Sequence, residues 1–345
     1  MANKKELILH IGRAKSGTST LQRYLTAQRD QLAAQGISYP CSGTAGRSAH
    51  HEMARSCRSP IPFGRRLREM RDAFEAEVAP FDKVIVSSEA FQNLITTYNL
   101  CFLFGGKQSG ILKSLLSWSV PSLRTRPYDI RVICYIREYL ETACSSYAQR
   151  VHATNYDDTL EGFCQHHFRR PLSSFVRLWR EYADEAQFLY YERDRLRGQD
   201  IISDFFWHIG IRAPAPGGSH DANPSLSGNL LAFKRLLNHR GYHSMALYNT
   251  FSHLAQLDPR YRGKIFVSDA LAARLRDKDG DYNAQLSKLV GRVECHSLEG
   301  GNRFDPAMWK LDMQRFLEHP NLALLKTQPQ IYNTSASDIA ALLGR

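Results

Sequence analysis

The first 25 residues constrain the fold most, because they join an apolar strand to a helix through a loop of small residues. Residues 6–11 (ELILHI) form an apolar run typical of a buried strand, and the segment after them contains Gly12 and Gly17. Apolar residues then recur at helical spacing, at Leu21, Tyr24, Leu25 and Leu32. A strand, a small-residue loop and a helix in this order are a recurring anion site, because N–H groups at the helix start face the anion. The segment therefore predicts an α/β fold with an anion site after the first strand.

Further along the chain, apolar strands and amphipathic helices alternate. Apolar runs predict strands at 83–87, 131–136 and 187–191. Helical periodicity predicts helices at 65–79, 111–124, 140–151, 172–182 and 200–209. The polar stretch 38–64 is expected to be a loop. This alternation is typical of a parallel sheet that is covered by helices on both faces.

The stretch 213–224 (APAPGGSHDANP) interrupts the alternation and is the best candidate for a boundary. Beyond it the pattern is mainly helical. We therefore expect an α/β core over residues 1–212 and a mainly helical extension over 213–345. We expect the extension to pack on the core and to contribute to the cleft for a second substrate.

Composition narrows the class of protein. The chain of 345 residues is 43% hydrophobic and has no run of 18 apolar residues, so a membrane-spanning helix is not expected. Its seven cysteines form no C-x-x-C pair, which argues against a zinc site or a disulfide framework and favours reduced thiols in the cytoplasm. A net charge of +11 favours anionic partners: nucleotides, acidic glycans or, transiently, a membrane surface. Nucleic acid is not an expected partner, because the basic residues are spread along the chain without a recognition motif.

The loop after the first strand nearly matches the nucleotide-binding motif G-x-x-x-x-G-K-[ST]. Gly12 and Gly17 have the required spacing, but Thr18 stands where the motif has its lysine, and Lys15 comes three residues earlier. An enzyme that uses ATP or GTP would lose the lysine that contacts the β- and γ-phosphates. An ATP-dependent kinase of nucleotides or small molecules, working with magnesium, is therefore the alternative function. A ligand with one short 5′-terminal anionic group would not need a lysine at that point.

A second candidate anion site follows the predicted strand 131–136. Arg137 stands directly after this strand, and Ser145 lies eight residues further on, in the next predicted helix. A guanidinium can form two hydrogen bonds with a phosphate, and a hydroxyl can add another. Ligands of open α/β sheets bind at the C-terminal edge of the strands, so both candidate sites are expected at one edge.

These segments resemble one known family. The segment 11–25 (IGRAKSGTSTLQRYL) resembles the 5′-phosphosulfate loop of sulfotransferases that use 3′-phosphoadenosine 5′-phosphosulfate (PAPS), and 133–147 (ICYIREYLETACSSY) resembles their 3′-phosphate motif. The segment 188–211 resembles the late core of the carbohydrate-type, bacterial-like members. The resemblance covers residues 5–212. It implies a P-loop-like fold and a metal-independent transfer of the sulfuryl group of PAPS to a hydroxyl, on a carbohydrate or a glycolipid. The product nucleotide would be 3′,5′-diphosphoadenosine (PAP).

The resemblance also implies roles for particular residues. Lys15 would bind the 5′-phosphosulfate and stabilise charge on the leaving oxygen, while Arg137 and Ser145 would hold the 3′-phosphate. The other donor-binding residues would be Arg13, Ala14, Ser16, Gly17, Thr18 and Ser19. The family often has proline where Ala14 and Tyr139 stand here, a departure that affects only loop detail because neither position supplies a side-chain ligand.

A hydroxyl acceptor loses its proton during transfer, so a carboxylate or an imidazole is expected near the sulfur. Glu89 follows the predicted strand 83–87 at the same sheet edge as Lys15. In glycan sulfotransferases a glutamate in this region is the usual base, and cytosolic relatives use a histidine nearby. Glu89 is therefore the predicted base, and His51, in the polar stretch, is the alternative. A role of Glu89 as a simple helix cap stays open at this point.

Overall fold

The computed structural model describes these segments of the chain: residues 4–13, 16–59, 64–94, 96–105, 128–168, 171–214, 225–278 and 280–344. Within them the chain is an α/β protein with a five-stranded sheet in which all strand pairs are parallel. Helices flank this sheet, so the predicted class, a parallel sheet flanked by helices, is confirmed. The helix expected at 111–124 lies outside the described segments.

The sheet has the strand order β2-β3-β1-β4-β5. Its strands are β1 (Lys5–His10), β2 (Ile37–Ser38), β3 (Lys83–Ser87), β4 (Tyr128–Ile136) and β5 (Glu185–Tyr190). The four predicted strands correspond to β1, β3, β4 and β5, whereas the two-residue β2 is not among them. The central strand β1 is fully buried over residues 7–10, as expected for a sheet that is covered on both faces.

The α-helices of the described segments are α1 (Thr18–Ala27), α2 (Arg29–Ala33), α3 (His51–Cys57), α4 (Arg65–Val78), α5 (Tyr98–Phe104), α6 (Tyr139–Ala153), α7 (Leu160–His166), α8 (Leu172–Tyr182), α9 (Ile201–His208), α10 (Gly228–His239), α11 (Met245–Leu257), α12 (Asp269–Lys278), α13 (Gly280–Val290), α14 (Trp309–Leu317), α15 (Pro329–Tyr332) and α16 (Ala336–Leu342). Short 3₁₀ helices occur at Glu89–Asn93, Arg193–Arg195, Arg197–Gln199, Pro259–Tyr261 and Pro320–Thr327. None of the helices in these segments is both long enough and apolar enough to cross a membrane.

The chain forms two compact units that interleave along the sequence. The first unit comprises Met1–Arg137, Pro171–His220 and Gln285–Val293, and the second comprises Glu138–Arg170, Asp221–Ala284 and Glu294–Arg345. The first unit contains the whole sheet. The second is mainly helical in its described part, and its core includes the rings of Phe233, Trp309 and Phe316. The expected boundary near residue 213 stays a prediction.

The core of the first unit fixes the position of α1. Leu21 and Leu25 of this helix are fully buried in one cluster with Ile8 of β1 and Ile85 of β3. The ring of Tyr24 packs edge-on at 5.8 Å from the ring of Phe206 on α9. Full burial of a leucine side chain contributes about 1.5–3 kcal/mol to stability. The start of α1 is therefore held at the C-terminal end of β1.

The expectation of a loop over 38–64 is wrong at α3. This helix packs against α4 and against the 3₁₀ helix Glu89–Asn93, and it buries Met53, Ala54 and Cys57. A helix of seven residues is not stable by itself in water, so tertiary packing holds it. The glycine, serine and proline residues around α3 make the segment resemble a loop in the sequence.

Candidate functional site

Three neighbouring strands end at one edge of the sheet, and each is followed by a candidate residue. Gly12 follows β1, Glu89 follows β3 and Arg137 follows β4. Because β3 and β4 flank β1 in parallel, all three loops leave from the same edge. The connection from β1 leads to the β2 side of the sheet, whereas that from β4 leads to β5 on the other side. Open sheets bind ligands where the direction of the connections reverses in this way.

Two glycines after β1 are in close contact with their neighbours. A Cβ atom at Gly12 would lie 1.9 Å from Cγ2 of Thr18, so glycine is needed there. Gly17 has a φ of +74° and precedes α1, so no side chain at this N-cap position satisfies the first turn. The Oγ of Ser16 donates to the carbonyl oxygen of Arg13 at 2.6 Å. The first N–H groups of α1 lack partners within the helix, which suits an anion at this end.

The other residues expected in this loop have different surroundings. Ala14 and Lys15 lie outside the described residues, and their roles stay predictions. The side chain of Arg13 is 4% exposed, and its guanidinium carbon lies 4.7 Å from the ring centroid of Phe175 on α8. This is a cation–π contact in the core of the first unit. Ser19, in the first turn of α1, is partly exposed.

Tyr191 is close both to the loop after β1 and to Arg137, the candidate anion-binding residue after β4. Its backbone N–H donates to the carbonyl oxygen of Ile136 at 2.8 Å. A Cβ atom at Gly17 would lie 2.9 Å from the Tyr191 ring, and the guanidinium carbon of Arg137 lies 5.1 Å from the centroid of that ring. The structure therefore brings Gly17 and Arg137 to the same aromatic ring.

Ser145, the other residue predicted to hold the 3′-phosphate, lies on α6 in the second unit. Its Oγ is 3.3 Å from the Oγ of Ser225, and the side chain is partly exposed. Arg137 belongs to the first unit. A shared role of the two residues stays a prediction.

Glu89 begins the short 3₁₀ helix after β3. The Oγ of Ser88 accepts a hydrogen bond from the backbone N–H of Ala90 at 3.1 Å, so Ser88 is the cap of this helix. The Glu89 carboxylate is thereby available for other contacts. Its side chain is 29% exposed, and a Cβ atom at Gly12 would lie 3.6 Å from the Cβ of Glu89. The carboxylate residue therefore adjoins the loop that follows β1.

The two candidate bases form a pair. The Nε2 atom of His51, at the start of α3, lies 3.7 Å from Oε1 of Glu89, which is an ion-pair distance rather than a strong hydrogen bond. The Nδ1 atom of His51 lies 2.8 Å from the Oγ of Ser88, which orients the imidazole. The His51 side chain is 22% exposed, so both groups of the pair can reach a ligand from solvent. A carboxylate beside an imidazole can accept a proton from a bound hydroxyl.

Two buried histidines support the end of β3. The Nδ1 atom of His50 accepts from the backbone N–H of Ser87 at 3.2 Å, and its Nε2 lies 3.0 Å from the carbonyl oxygen of Pro40. The Nδ1 atom of His10 lies 2.8 Å from the Oγ of Ser87. Burial lowers the pKa of His50 to about 4 and the pKa of His10 to about 3, so both are neutral at pH 7. These contacts fix the position of Ser87, which lies two residues before Glu89.

Sequence reasoning misses two residues of this site. Gln22 is 2% exposed, and its Nε2 donates to Oε2 of Glu89 at 3.0 Å and to the Oγ of Ser87 at 3.2 Å. Its signal in the sequence is a polar residue on the apolar face of a predicted helix. Tyr191 has a weaker signal, because it is one of several aromatic residues at the end of a predicted strand.

Comparison of the chain with protein-family models, with curated proteins and with solved structures finds no significant match. Function is therefore inferred from the geometry of this site and from the resemblance of its motifs.

Proposed function

We propose that this protein is a PAPS-dependent sulfotransferase with a P-loop-like core, which transfers a sulfuryl group to a hydroxyl of a carbohydrate or a glycolipid. The resemblance of segments 11–25 and 133–147 to the two donor motifs of that family supports the proposal. A cytoplasmic location is part of it, in agreement with the seven cysteines, which all lie in described segments as free thiols.

One observation carries the proposal: Glu89 adjoins the loop that is expected to hold the sulfated end of the donor. A Cβ atom at Gly12 would lie 3.6 Å from the Cβ of Glu89, and the carboxylate is paired with His51. Transfer to a hydroxyl needs a base at this point, because the acceptor loses its proton as its oxygen attacks the sulfur. A site that only binds a nucleotide does not need such a pair.

The described residues suit a donor with two separate anionic groups. The start of α1, beside Gly17 and with the hydroxyl of Ser19, offers hydrogen-bond donors to one group. Arg137, stacked on Tyr191, offers a guanidinium to the other. PAPS carries a 5′-phosphosulfate and a 3′-phosphate, and we propose that these two groups bind at the two positions.

The chemistry divides among a few side chains. PAPS supplies the sulfuryl group, and the acceptor supplies the attacking oxygen. Glu89 accepts the hydroxyl proton, and His51 lies beside the carboxylate at 3.7 Å. Lys15, expected in the loop after β1, stabilises the charge that develops on the leaving oxygen.

Nucleotide binding and transfer are tested together. Titration calorimetry compares PAP with ATP–magnesium, and ³⁵S-labelled PAPS is offered with polysaccharides, lipid extracts and phenols as acceptors. We expect PAP to bind and Glu89→Gln to lower turnover by about 10²–10⁴-fold, with little change in the Kd of PAP. Glu69→Gln on α4 is the matched control, because it removes an exposed carboxylate that is paired with Arg65 across one turn.

Two results would contradict the proposal or part of it. Binding of ATP–magnesium without binding of PAP would favour the kinase. Retention of more than about a tenth of turnover in Glu89→Gln would remove Glu89 from the role of base. A collapse of turnover in His51→Ala, with unchanged PAP binding, would then assign that role to His51.

A further inference from the structure

Gln22 contacts the candidate base from the interior of the protein. Its side-chain amide is buried, and Nε2 lies 3.0 Å from Oε2 of Glu89 and 3.2 Å from the Oγ of Ser87. An amide nitrogen carries two N–H groups, so both hydrogen bonds form at once. The amide therefore joins the end of β3 to the carboxylate that follows it.

The chain of hydrogen bonds continues from Ser87 on β3 to His10 on the neighbouring strand β1. Ser87 and His10 are partners in the register of β3 and β1, and the Oγ of Ser87 lies 2.8 Å from Nδ1 of His10. His10 is fully buried, and burial lowers its pKa to about 3, so its ring is neutral. A neutral ring can accept the Ser87 proton at Nδ1 while Ser87 accepts from Gln22. The amide of Gln22 is thereby anchored to the centre of the sheet.

The two oxygens of the Glu89 carboxylate have different neighbours. Oε2 accepts from Gln22 of α1, and Oε1 lies 3.7 Å from Nε2 of His51 on α3. On the side of β1, Gly12 lies next to Glu89, since a Cβ atom at Gly12 would lie 3.6 Å from the Cβ of Glu89. A hydrogen bond to Oε2 from a buried amide therefore sets the rotation of the carboxylate and, with it, the direction of Oε1.

We propose that Gln22 is a positioning residue for the sulfuryl transfer, and the inference rests on the proposed function. Gln22 holds Oε2, so that Oε1 stays beside His51 and takes the proton of the acceptor hydroxyl. In this step the acceptor oxygen bonds to sulfur, the bond from sulfur to the bridging oxygen of PAPS breaks, and the proton passes to Glu89. Misplacement of a reacting group by about 1 Å costs about 10²-fold in rate.

Variants on α1 separate positioning from packing. Gln22→Met keeps the length of the side chain without its N–H groups, and Gln22→Glu places a second carboxylate against Oε2. Thr26→Val is the matched control: it removes a part-buried hydroxyl one turn further along α1, which bonds to the carbonyl oxygens of Gln22 and Ser48. Turnover is measured as hydrolysis of PAPS, in which water takes the place of the acceptor. Donor binding is measured as the Kd of PAP.

The pairing of Glu89 with His51 is followed separately by nuclear magnetic resonance. Ring ¹⁵N signals of His51 are assigned with His51→Asn and are then compared among the variants. Both Gln22 variants are expected to shift these signals and to lower hydrolysis by about 10- to 100-fold, with the Kd of PAP changed by less than about twofold. Thr26→Val is expected to leave the signals, the rate and the Kd unchanged.

The outcomes separate this inference from the proposed function. A hydrolysis rate of Gln22→Met within about threefold of the wild-type rate, or an equal loss in Thr26→Val, overturns the positioning role. If the proposed function fails, the wild-type protein neither binds PAP nor hydrolyses PAPS. The His51 signals then still test the contact: a shift in the Gln22 variants supports control of the pair by Gln22, and unchanged signals overturn it.

Discussion

Acid is expected to destabilise the first unit through His10 and His50. Burial lowers the pKa of His10 to about 3 and the pKa of His50 to about 4, whereas an unfolded histidine titrates near 6.5. The folded state therefore binds fewer protons than the unfolded state below pH 6.5. Stability is fully present above that pH and falls as the pH is lowered toward the folded pKa values. Hydrogen bonds of the His50 ring with the backbone of Ser87 and Pro40 act in the opposite direction on its pKa, but burial is the larger effect.

The size of the effect follows from proton linkage. A group that takes up one proton only on unfolding changes stability by about 1.4 kcal/mol per pH unit. Between pH 7 and pH 5 each histidine then costs about 2 kcal/mol, and the pair costs about 4 kcal/mol. This is a large part of the roughly 5–15 kcal/mol that stabilises a typical domain.

His50→Gln tests this account, because an amide can still donate to the carbonyl oxygen of Pro40 but cannot take up a proton. Unfolding in urea is followed between pH 7 and pH 5 by tryptophan fluorescence, to which the fully buried Trp179 of the first unit contributes. The variant is less stable at pH 7, but its loss between pH 7 and pH 5 is expected to be smaller than that of the wild-type protein by about 2 kcal/mol. His166→Gln, which replaces an exposed histidine, is the control and is expected to follow the wild-type protein. Equal losses in His50→Gln and the wild-type protein would show that His50 does not cause the loss of stability.

Three further predictions concern the donor site. Gly17→Ala is expected to destabilise the protein by about 1–2 kcal/mol and to weaken PAP binding, because φ is +74° there and the new Cβ would press on a tyrosine ring; unfolding and calorimetry check this. Arg137→Ala is expected to weaken PAP by about 10- to 100-fold but the 3′-dephospho nucleotide far less, and equal losses would contradict a 3′-phosphate contact. Lys15→Ala is expected to lower both turnover and donor affinity, whereas His51→Ala is expected to leave the Kd of PAP unchanged; steady-state kinetics and calorimetry separate the two.

Local patterns predict the regular elements of the first unit well. The predicted strand 83–87 coincides with β3, and the helix 172–182 coincides with α8. Both follow from the spacing of apolar residues, which reports how a segment meets a core. The same method fails at α3, because a helix of seven residues depends on what it packs against rather than on its own sequence.

Sequence patterns alone indicate that Gly12, Glu89 and Arg137 each follow an apolar strand, and the alternation of elements implies that these strands are parallel. The candidate residues at one sheet edge follow from those two facts. No local pattern determines which strands become neighbours, since the order β2-β3-β1-β4-β5 depends on how the connecting helices pack.

The partners of the Glu89 carboxylate depend on tertiary packing. His51 comes from a helix that sequence patterns do not predict, and Gln22 comes from the buried face of α1. These contacts join segments that are far apart in the chain, and they depend on the rotation of each helix against the sheet. Apolar periodicity identifies the buried face of a helix, but the partner of a polar side chain on that face depends on packing between elements.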